Sequence, residues 1–402
     1  CGGFADEIAS AQSGLAKWFA QGPLRVTLRE PAREMGVHRL QIRMNCPAPG
    51  NRRLLSLAPN PADPMHKKAL LVAGVVAALS ACSTDLDIAA PYQENTIVYA
   101  LLNKDSSTHY LKINKAFLGT GNAFEYAQVP DSSEYQEGQL EAVVKAVKNG
   151  QVVNTYTLHD TVWAHDPGIF AGPTHKVYYF QAELDSSATY RIEATAKGNQ
   201  VWAETPVVEA VHPSGSIPNL NLPLRLMAPG GTYSFVTVKW TSSVNGKRYD
   251  IAYRFRWDDV VGSDTVPRDF VQSLGNLAST NLGGSEIMSV PLDGEAFFRT
   301  VGQRCNDNPQ ATQRIFRGVD VLWAVAGPDL YNYLLLNSPI SGMVEERPTY
   351  TNVNGGYGLF SSRRFLEVKN KTLDQYSVPE LVQGPYTVGL HFCVPNSDFS
   401  CN

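Results

Sequence analysis

Thr189-Tyr190-Arg191-Ile192-Glu193-Ala194-Thr195-Ala196-Lys197-Gly198-Asn199-Gln200-Val201-Trp202-Ala203-Glu204-Thr205 is the stretch on which the reading of the fold turns. Tyr190, Ile192, Ala194 and Ala196 fall on one parity, and Arg191, Glu193, Thr195 and Lys197 on the other. Strand side chains alternate between faces, so this pattern describes a strand with one buried and one wetted side. Lys197-Gly198-Asn199 then turns the chain into a second strand at residues 201–205. Upstream, residues 140–148 and 152–159 flank Asn149-Gly150, a pair that tolerates the positive φ angles of a two-residue hairpin turn. Residues 97–102, 109–117 and 176–184 supply further strands. In the second of these, Tyr110 and Lys112 oppose Leu111 and Ile113 in parity. Roughly seven strands in about 115 residues match a β-sandwich of immunoglobulin-like size.

Downstream, His212-Pro213-Ser214-Gly215-Ser216-Ile217-Pro218 clusters turn formers and interrupts the periodicity, which marks a boundary. Residues 233–240, 249–257, 287–292 and 319–325 are the clearest strands beyond it. One helix is expected to start at Pro328-Asp329, because proline and an acidic residue suit a first helical turn, and to run to Asn337. The fold expected is all-β: two β-sandwich-like domains in tandem, at residues 96–211 and 212–402, with one short helix in the second.

The N-terminal region reads differently. The 402 residues contain 18 tyrosines, yet residues 1–64 contain none, and arginine supplies all but one of their basic side chains. Pro47, Pro49, Pro59, Pro61 and Pro64 fall in a stretch without helical or strand periodicity. With Cys1 in first place, residues 1–64 read as sequence translated from upstream of the true start, with a disordered arm as the competing reading. The product is then expected to begin at Met65. His66, Lys67 and Lys68 make a short positive segment, followed by the apolar run from Ala69 to Ala78. That run fits a secretory signal and is too short to span a bilayer as a mature helix. It ends in Leu79-Ser80-Ala81-Cys82, which matches a lipobox. Small residues at Ser80 and Ala81 let an extended backbone enter a peptidase cleft. The Cys82 thiolate is the nucleophile that accepts lipid. Residues 65–81 are therefore expected to be a lipoprotein signal peptide, and residues 82–95 a lipidated cysteine with its polar tether.

Removing residues 1–81 takes ten of the 34 basic and five of the 38 acidic residues, leaving a net charge of −9. Such a chain is unsuited to nucleic acid or to electrostatic contact with anionic lipid. Attachment to the membrane then falls to the acyl chains. Ser83-Thr84-Asp85-Leu86-Asp87 looks like the acidic signal that sends such lipoproteins to the cell surface, although a solvated tether accounts for it equally.

Two groups of residues carry a resemblance. The first is Thr189-Tyr190-Arg191-Ile192-Glu193-Ala194 with Gly198 and Ala203-Glu204-Thr205-Pro206. The second is Asp329-Leu330-Tyr331-Asn332-Tyr333-Leu334 with Thr351-Asn352-Val353-Asn354-Gly355-Gly356-Tyr357-Gly358-Leu359-Phe360. Together they resemble a two-domain lipoprotein family of the Bacteroidota known only as a domain of unknown function. The resemblance spans most of residues 92–365. It implies an outer-membrane lipoprotein accessory to a TonB-dependent transporter. The chain departs from the family in lacking an aromatic C-terminal ending.

Candidate chemistry is sparse. Asn354-Gly355-Gly356-Tyr357-Gly358 lacks the Lys-Ser/Thr of a phosphate loop, and a tight turn with close backbone packing explains its glycines. His159-Asp160, His165-Asp166 and His175 match no zinc spacing and read as polar residues on a long connection between strands. Asp258-Asp259 and Glu345-Glu346 are neighbours in sequence, which does not make them face each other across a bond. No catalytic residue, metal ligand or cofactor is assigned. Cys305, Cys393 and Cys401 are an odd set for an oxidising compartment. The turn-rich Val394-Pro395-Asn396-Ser397-Asp398 favours a Cys393–Cys401 disulfide with Cys305 free, the rival being Cys305 with either tail cysteine. The reading is a non-enzymatic envelope lipoprotein. Its alternatives are a fimbrillin-like structural subunit or a surface hydrolase. The subunit reading requires cleavage after an early arginine, and no arginine lies between Cys82 and Tyr190.

Overall fold

A computed structural model of the protein describes residues 94–116, 123–164, 172–337 and 350–401. The expected signal and lipobox, and the expected tether up to Gln93, lie outside the described residues, as do His165, Asp166, Glu345 and Glu346. No described helix is long and apolar enough to cross a membrane.

The alternating segments fold as strands. In the first half these are β1 (Thr96–Leu102), β2 (Thr108–Lys115), β3 (Leu140–Lys148), β4 (Gln151–Thr157), β5 (His159–Ala164), β6 (Thr174–Gln181), β7 (Thr189–Ala196) and β8 (Asn199–Pro206). Two short helices, α1 (Ala123–Ala127) and α2 (Pro130–Ser133), lie between β2 and β3. Along β7, Tyr190, Ile192, Ala194 and Ala196 are buried while the alternate residues are half-exposed, as their parity requires. Asn149 and Gly150 both have positive φ and close the β3–β4 hairpin, with Lys148 paired to Gln151. Residues 159–164, read from the sequence as part of a connection, form β5 instead. Their alternation of His159, Thr161 and Trp163 with Asp160, Val162 and Ala164 satisfies a strand at a sheet edge, where both parities remain partly wet.

The second half contains β9 (His212–Ser214), β10 (Phe235–Thr241), β11 (Arg248–Val261), β12 (Asp264–Ala278), β13 (Ile287–Asp293), β14 (Gln313–Ala326), β15 (Tyr357–Lys371) and β16 (Phe392–Cys393). Where the sequence suggests one helix, three α-helices occur among the described residues: α3 (Gly294–Arg304), α4 (Pro328–Leu336) and α5 (Ser377–Gln383). α4 is the expected one and starts at its Pro-Asp pair. α3 contains two glycines, which weaken a helical reading. Tertiary packing places them there, since a Cβ on Gly294 or Gly302 would run into the carbonyls of Leu226 or Tyr386. Asp293 caps α3 by accepting from the Ala296 N–H at 2.8 Å. α5 is only seven residues long and carries Pro379 inside its first turn, so its apolar pattern is too brief to read.

The described strands make three sheets, and the architecture is all-β and sandwich-like. A nine-stranded sheet runs β12-β11-β14-β15-β1-β2-β6-β5, with β16 added beside β14. A four-stranded sheet, β4-β3-β7-β8, covers one half of its inner face. A three-stranded sheet, β13-β10-β9, belongs to the other half together with α3 and α5. Each half has its own buried core. The first gathers Val98, Ile113, Val144, Ile192 and Ala203, and the second Trp240, Phe255, Phe297 and Trp323.

The join between the halves is a layer and not a linker. β1 pairs in parallel with β15, Ile97 to Tyr357 through Leu102 to Ser362. The glycine-rich segment makes that join fit. A Cβ on Gly358 would strike the Val98 carbonyl, and one on Gly355 the Gln200 carbonyl. Ser361 and Ser362 are fully buried within β15. Ser361 Oγ accepts from the Leu330 N–H of α4, and Ser362 Oγ donates to the Pro206 carbonyl at 2.6 Å. Val353 and Phe360, from the second half of the sequence, complete the first core.

Candidate functional site

A strand that changes sheets leaves a gap, and one such gap is an open cleft at the β4–β5 bend. β4 belongs to the four-stranded sheet and β5 to the nine-stranded sheet, with Leu158 alone between them. β5 pairs with β6 only from His159 opposite Tyr179 to Ala164 opposite Thr174. Phe180 and Gln181 therefore extend past the end of β5. The space they leave is about 430 Å³, lined by Tyr156, Thr157, His159, Tyr179, Phe180 and Gln181.

The lining is aromatic with neutral polar rims. Tyr156 stands 5.3 Å from Phe180 between ring centres, and His159 stands 5.6 Å from Tyr179. On the same face of the sheet, Tyr110 lies 6.1 Å from Tyr179 and 4.6 Å from Trp163, so half-exposed rings continue away from the cleft. Asp160 points to the opposite face, 3.9 Å from the Lys176 amine. Behind the cleft, His109 is fully buried and donates its Nε2–H to the Ala182 carbonyl at 3.0 Å. Burial holds its pKa below the ordinary histidine value against the opposing pull of that carbonyl and of Glu183. Burial also pushes the Tyr190 hydroxyl up to about 12. Rings with amide, hydroxyl and imidazole edges suit a neutral ligand with an apolar side.

The remaining sequence candidates fall apart in space. His159 and His175 share a face of adjacent strands but sit near opposite ends of the β5–β6 pairing, opposite Tyr179 and Trp163 respectively. Among the described residues no group of three His, Cys, Asp or Glu side chains is placed to hold a metal ion. Asp258 and Asp259 point to opposite faces of β11. Asp258 accepts from Arg317 at 2.7 Å near the surface. Asp259 is wholly buried, accepting from Trp257 Nε1 at 2.8 Å and Asn308 Nδ2 at 3.0 Å, with Arg314 Nε at 3.3 Å. Arg314 in turn donates to the Leu390 and Asn308 carbonyls, so this network ties β11 and β14 to the chain ends beside them. The network pairs a buried carboxylate with a buried guanidinium and satisfies both with further hydrogen bonds.

Cys393 and Cys401 form a disulfide with a Cα–Cα separation of 5.1 Å, and Cys305 is free and buried. Burial pushes the Cys305 thiol far up, which makes it a poor nucleophile. The cleft itself was hidden in the sequence. No local signal marks it, since Leu158 continues the alternation of Tyr156 and Thr157 straight into His159.

No protein-family model matches the sequence, and no curated protein matches it. Among solved structures, the C-terminal globular domain of an oligosaccharyltransferase from Pyrococcus abyssi is 12% identical with a TM-score of 0.24, over 57% of this chain and 44% of that domain. The chain thus spans less than half of that domain. CBD12 from CALX1.2 is 8% identical with a TM-score of 0.15, over 67% of this chain and 100% of that one. Likenesses this slight carry no argument about fold or function.

Proposed function

We propose that the mature protein is a non-enzymatic, lipid-anchored binding protein of the outer membrane that works beside a TonB-dependent transporter. The observation that carries this reading is Leu79-Ser80-Ala81-Cys82 at the end of a charged and then apolar leader, with the first strand beginning soon afterwards at Thr96. The eleven residues between Cys82 and Glu94 reach at most about 40 Å when fully extended, so a lipid on Cys82 would keep the sandwich near the bilayer. The neutral aromatic cleft at the β4–β5 bend supports binding over turnover. It offers ring faces and amide and hydroxyl edges, with no carboxylate or ammonium group in its lining.

The fimbrillin-like reading fits less well. Its donor-strand groove opens by loss of an early strand, and here β1 is hydrogen-bonded on both sides, to β2 and to β15. Removing it would split the nine-stranded sheet through its middle.

Labelled palmitate fed to cells expressing the whole chain tests the anchor. Label should enter the native protein and vanish with Cys82→Ser, which should also leave the membrane fraction. Label retained by Cys82→Ser would overturn the anchor. Capture of the native protein in mild detergent should bring down a TonB-dependent transporter, and its consistent absence would remove the accessory role.

A further inference from the structure

Asparagine followed by glycine makes a good turn and is also chemically labile, and the sequence has three such pairs: Asn149-Gly150, Asn245-Gly246 and Asn354-Gly355. Glycine has no Cβ to shield its own amide nitrogen. That nitrogen can therefore attack the side-chain carbonyl carbon of the asparagine before it. The attack needs an asparagine side chain free to swing over the backbone and a glycine N–H free of partners.

The fold removes that freedom at two of the three pairs. Asn245 is held at both ends, its Nδ2 donating to the Val207 carbonyl at 3.0 Å and its backbone N–H to the Leu282 carbonyl at 2.8 Å. The Gly246 N–H donates to the Ser243 carbonyl at 3.1 Å, and a Cβ on Gly246 would strike the Tyr249 hydroxyl. Asn354 exchanges both backbone hydrogen bonds with Trp202, at 2.8 and 3.1 Å, and Gly355 is pressed against the Gln200 carbonyl.

Asn149 and Gly150 are different. Both are exposed, and no described hydrogen bond engages the Asn149 side chain or the Gly150 N–H. Nothing lies within 4 Å of where a Gly150 Cβ would stand. The hairpin tip is also loosely tied. β3 pairs with β7 only as far as Val147, so Lys148 and the turn project past that neighbour. The β3–β4 register slips between Ala146 and Val147, which leaves Val147–Val152 and Lys148–Gln151 as the two rungs beyond the irregularity. Opening two rungs at a sheet edge costs far less than unfolding the chain.

We propose that Asn149 is a site of spontaneous modification, converted to isoaspartate and aspartate by its own backbone while the fold protects Asn245 and Asn354. The Gly150 nitrogen forms a bond to Asn149 Cγ, and the side-chain nitrogen leaves as ammonia, taking up the proton of the Gly150 amide. Water then opens the cyclic imide. Addition at the backbone carbonyl leaves isoaspartate, and addition at Cγ leaves aspartate. Either product sets a carboxylate beside Lys148, whose amine otherwise pairs with Asp185 at 3.2 Å. Isoaspartate also adds a methylene to the main chain inside a two-residue turn, where loop length fixes the register of the hairpin. Lys148 and Gln151 then no longer close in their original pairing. The change falls on the strand that carries Tyr156 and Thr157 to the cleft.

Heavy-oxygen water provides the test, because each conversion takes one oxygen from solvent. The whole chain is incubated in it at mildly alkaline pH, folded in one arm and in guanidinium chloride in the other. Digestion and mass spectrometry then follow the peptides that contain Asn149, Asn245 and Asn354. In the folded arm the Asn149 peptide should gain label roughly tenfold or more faster than the other two, mostly as isoaspartate. In denaturant the three rates should draw together. Equal rates in the folded chain, or an Asn149 peptide that stays unlabelled there, would overturn the proposal. So would the same ranking by the same factor in denaturant, since flanking residues and not the fold would then set it.

Discussion

The first core is built around small side chains, with Ala100, Ala146, Ala188, Ala194, Ala196 and Ala203 among its members, whereas the second contains no alanine among its described buried residues. In place of alanine the second has rings. Phe255 alone lies 5.4–5.9 Å from Trp257, Phe270, Phe297, Phe316 and Phe392 between centres. The difference follows from what closes each half. Two sheets facing one another approach to a uniform spacing of about 10 Å, and alanines let their backbones settle close. Over the second half, a three-stranded sheet and two helices leave a wider, uneven space. Large flat side chains fill such a space because one ring reaches several neighbours.

The sharpest way to probe this contrast is to remove its hub. Phe255→Ala should cost about 3–5 kcal/mol, the range for a buried phenylalanine that leaves a cavity. Because β1 and β15 join the halves within one sheet, urea unfolding should remain a single transition at lower denaturant. Two separated transitions would mean the cores are independent. Next in size is the tail. Phe392 and Val394 belong to the second core, and Cys393–Cys401 closes a short loop there. Cys401→Ser should cost about 2–3 kcal/mol on the chain-entropy account, read by thermal melting. An unchanged melt would show the tail already pinned by packing.

The first core should respond to the reverse operation. Ala203→Leu inserts methylenes where the sheets meet and should destabilise by about 1–3 kcal/mol. A neutral outcome there would mean the alanines reflect spare room, and the comparison would fail. The smallest effect is one of pH. His109 is buried with Nδ1 lacking a partner, and its pKa is lowered by burial. The unfolded chain therefore binds the proton first, so stability is fully present above about pH 6.5 and declines as pH falls below it. His109→Gln should flatten that decline in denaturant titrations between pH 7 and 5, and an unchanged slope would assign it to other groups.

Much of the first half was legible because its signals are local. The parity of Tyr190, Ile192, Ala194 and Ala196 and the Asn149-Gly150 turn need no knowledge of the rest of the chain. β15 was not legible. Ser361, Ser362, Arg363 and Arg364 look like surface, yet the first three are buried, and the two serines are spent on α4 and on the Pro206 carbonyl. β12 was missed for the opposite reason, since an edge strand exposed along most of its length shows no apolar face. The glycines at 355, 356 and 358 announced a close approach without naming the strand approached. The cleft is harder still, because it arises from where β5 stops relative to β6, a property of register that composition does not encode.

The parallel pairing of Ile97 with Tyr357 also sets a timetable. A strand emerging early must wait, with one row of amides unsatisfied, until nearly the whole chain has followed it, and such distant closures make folding slow. The first sandwich cannot be finished while the chain is still being delivered. Completion of the fold is thereby postponed until the last long strand has arrived.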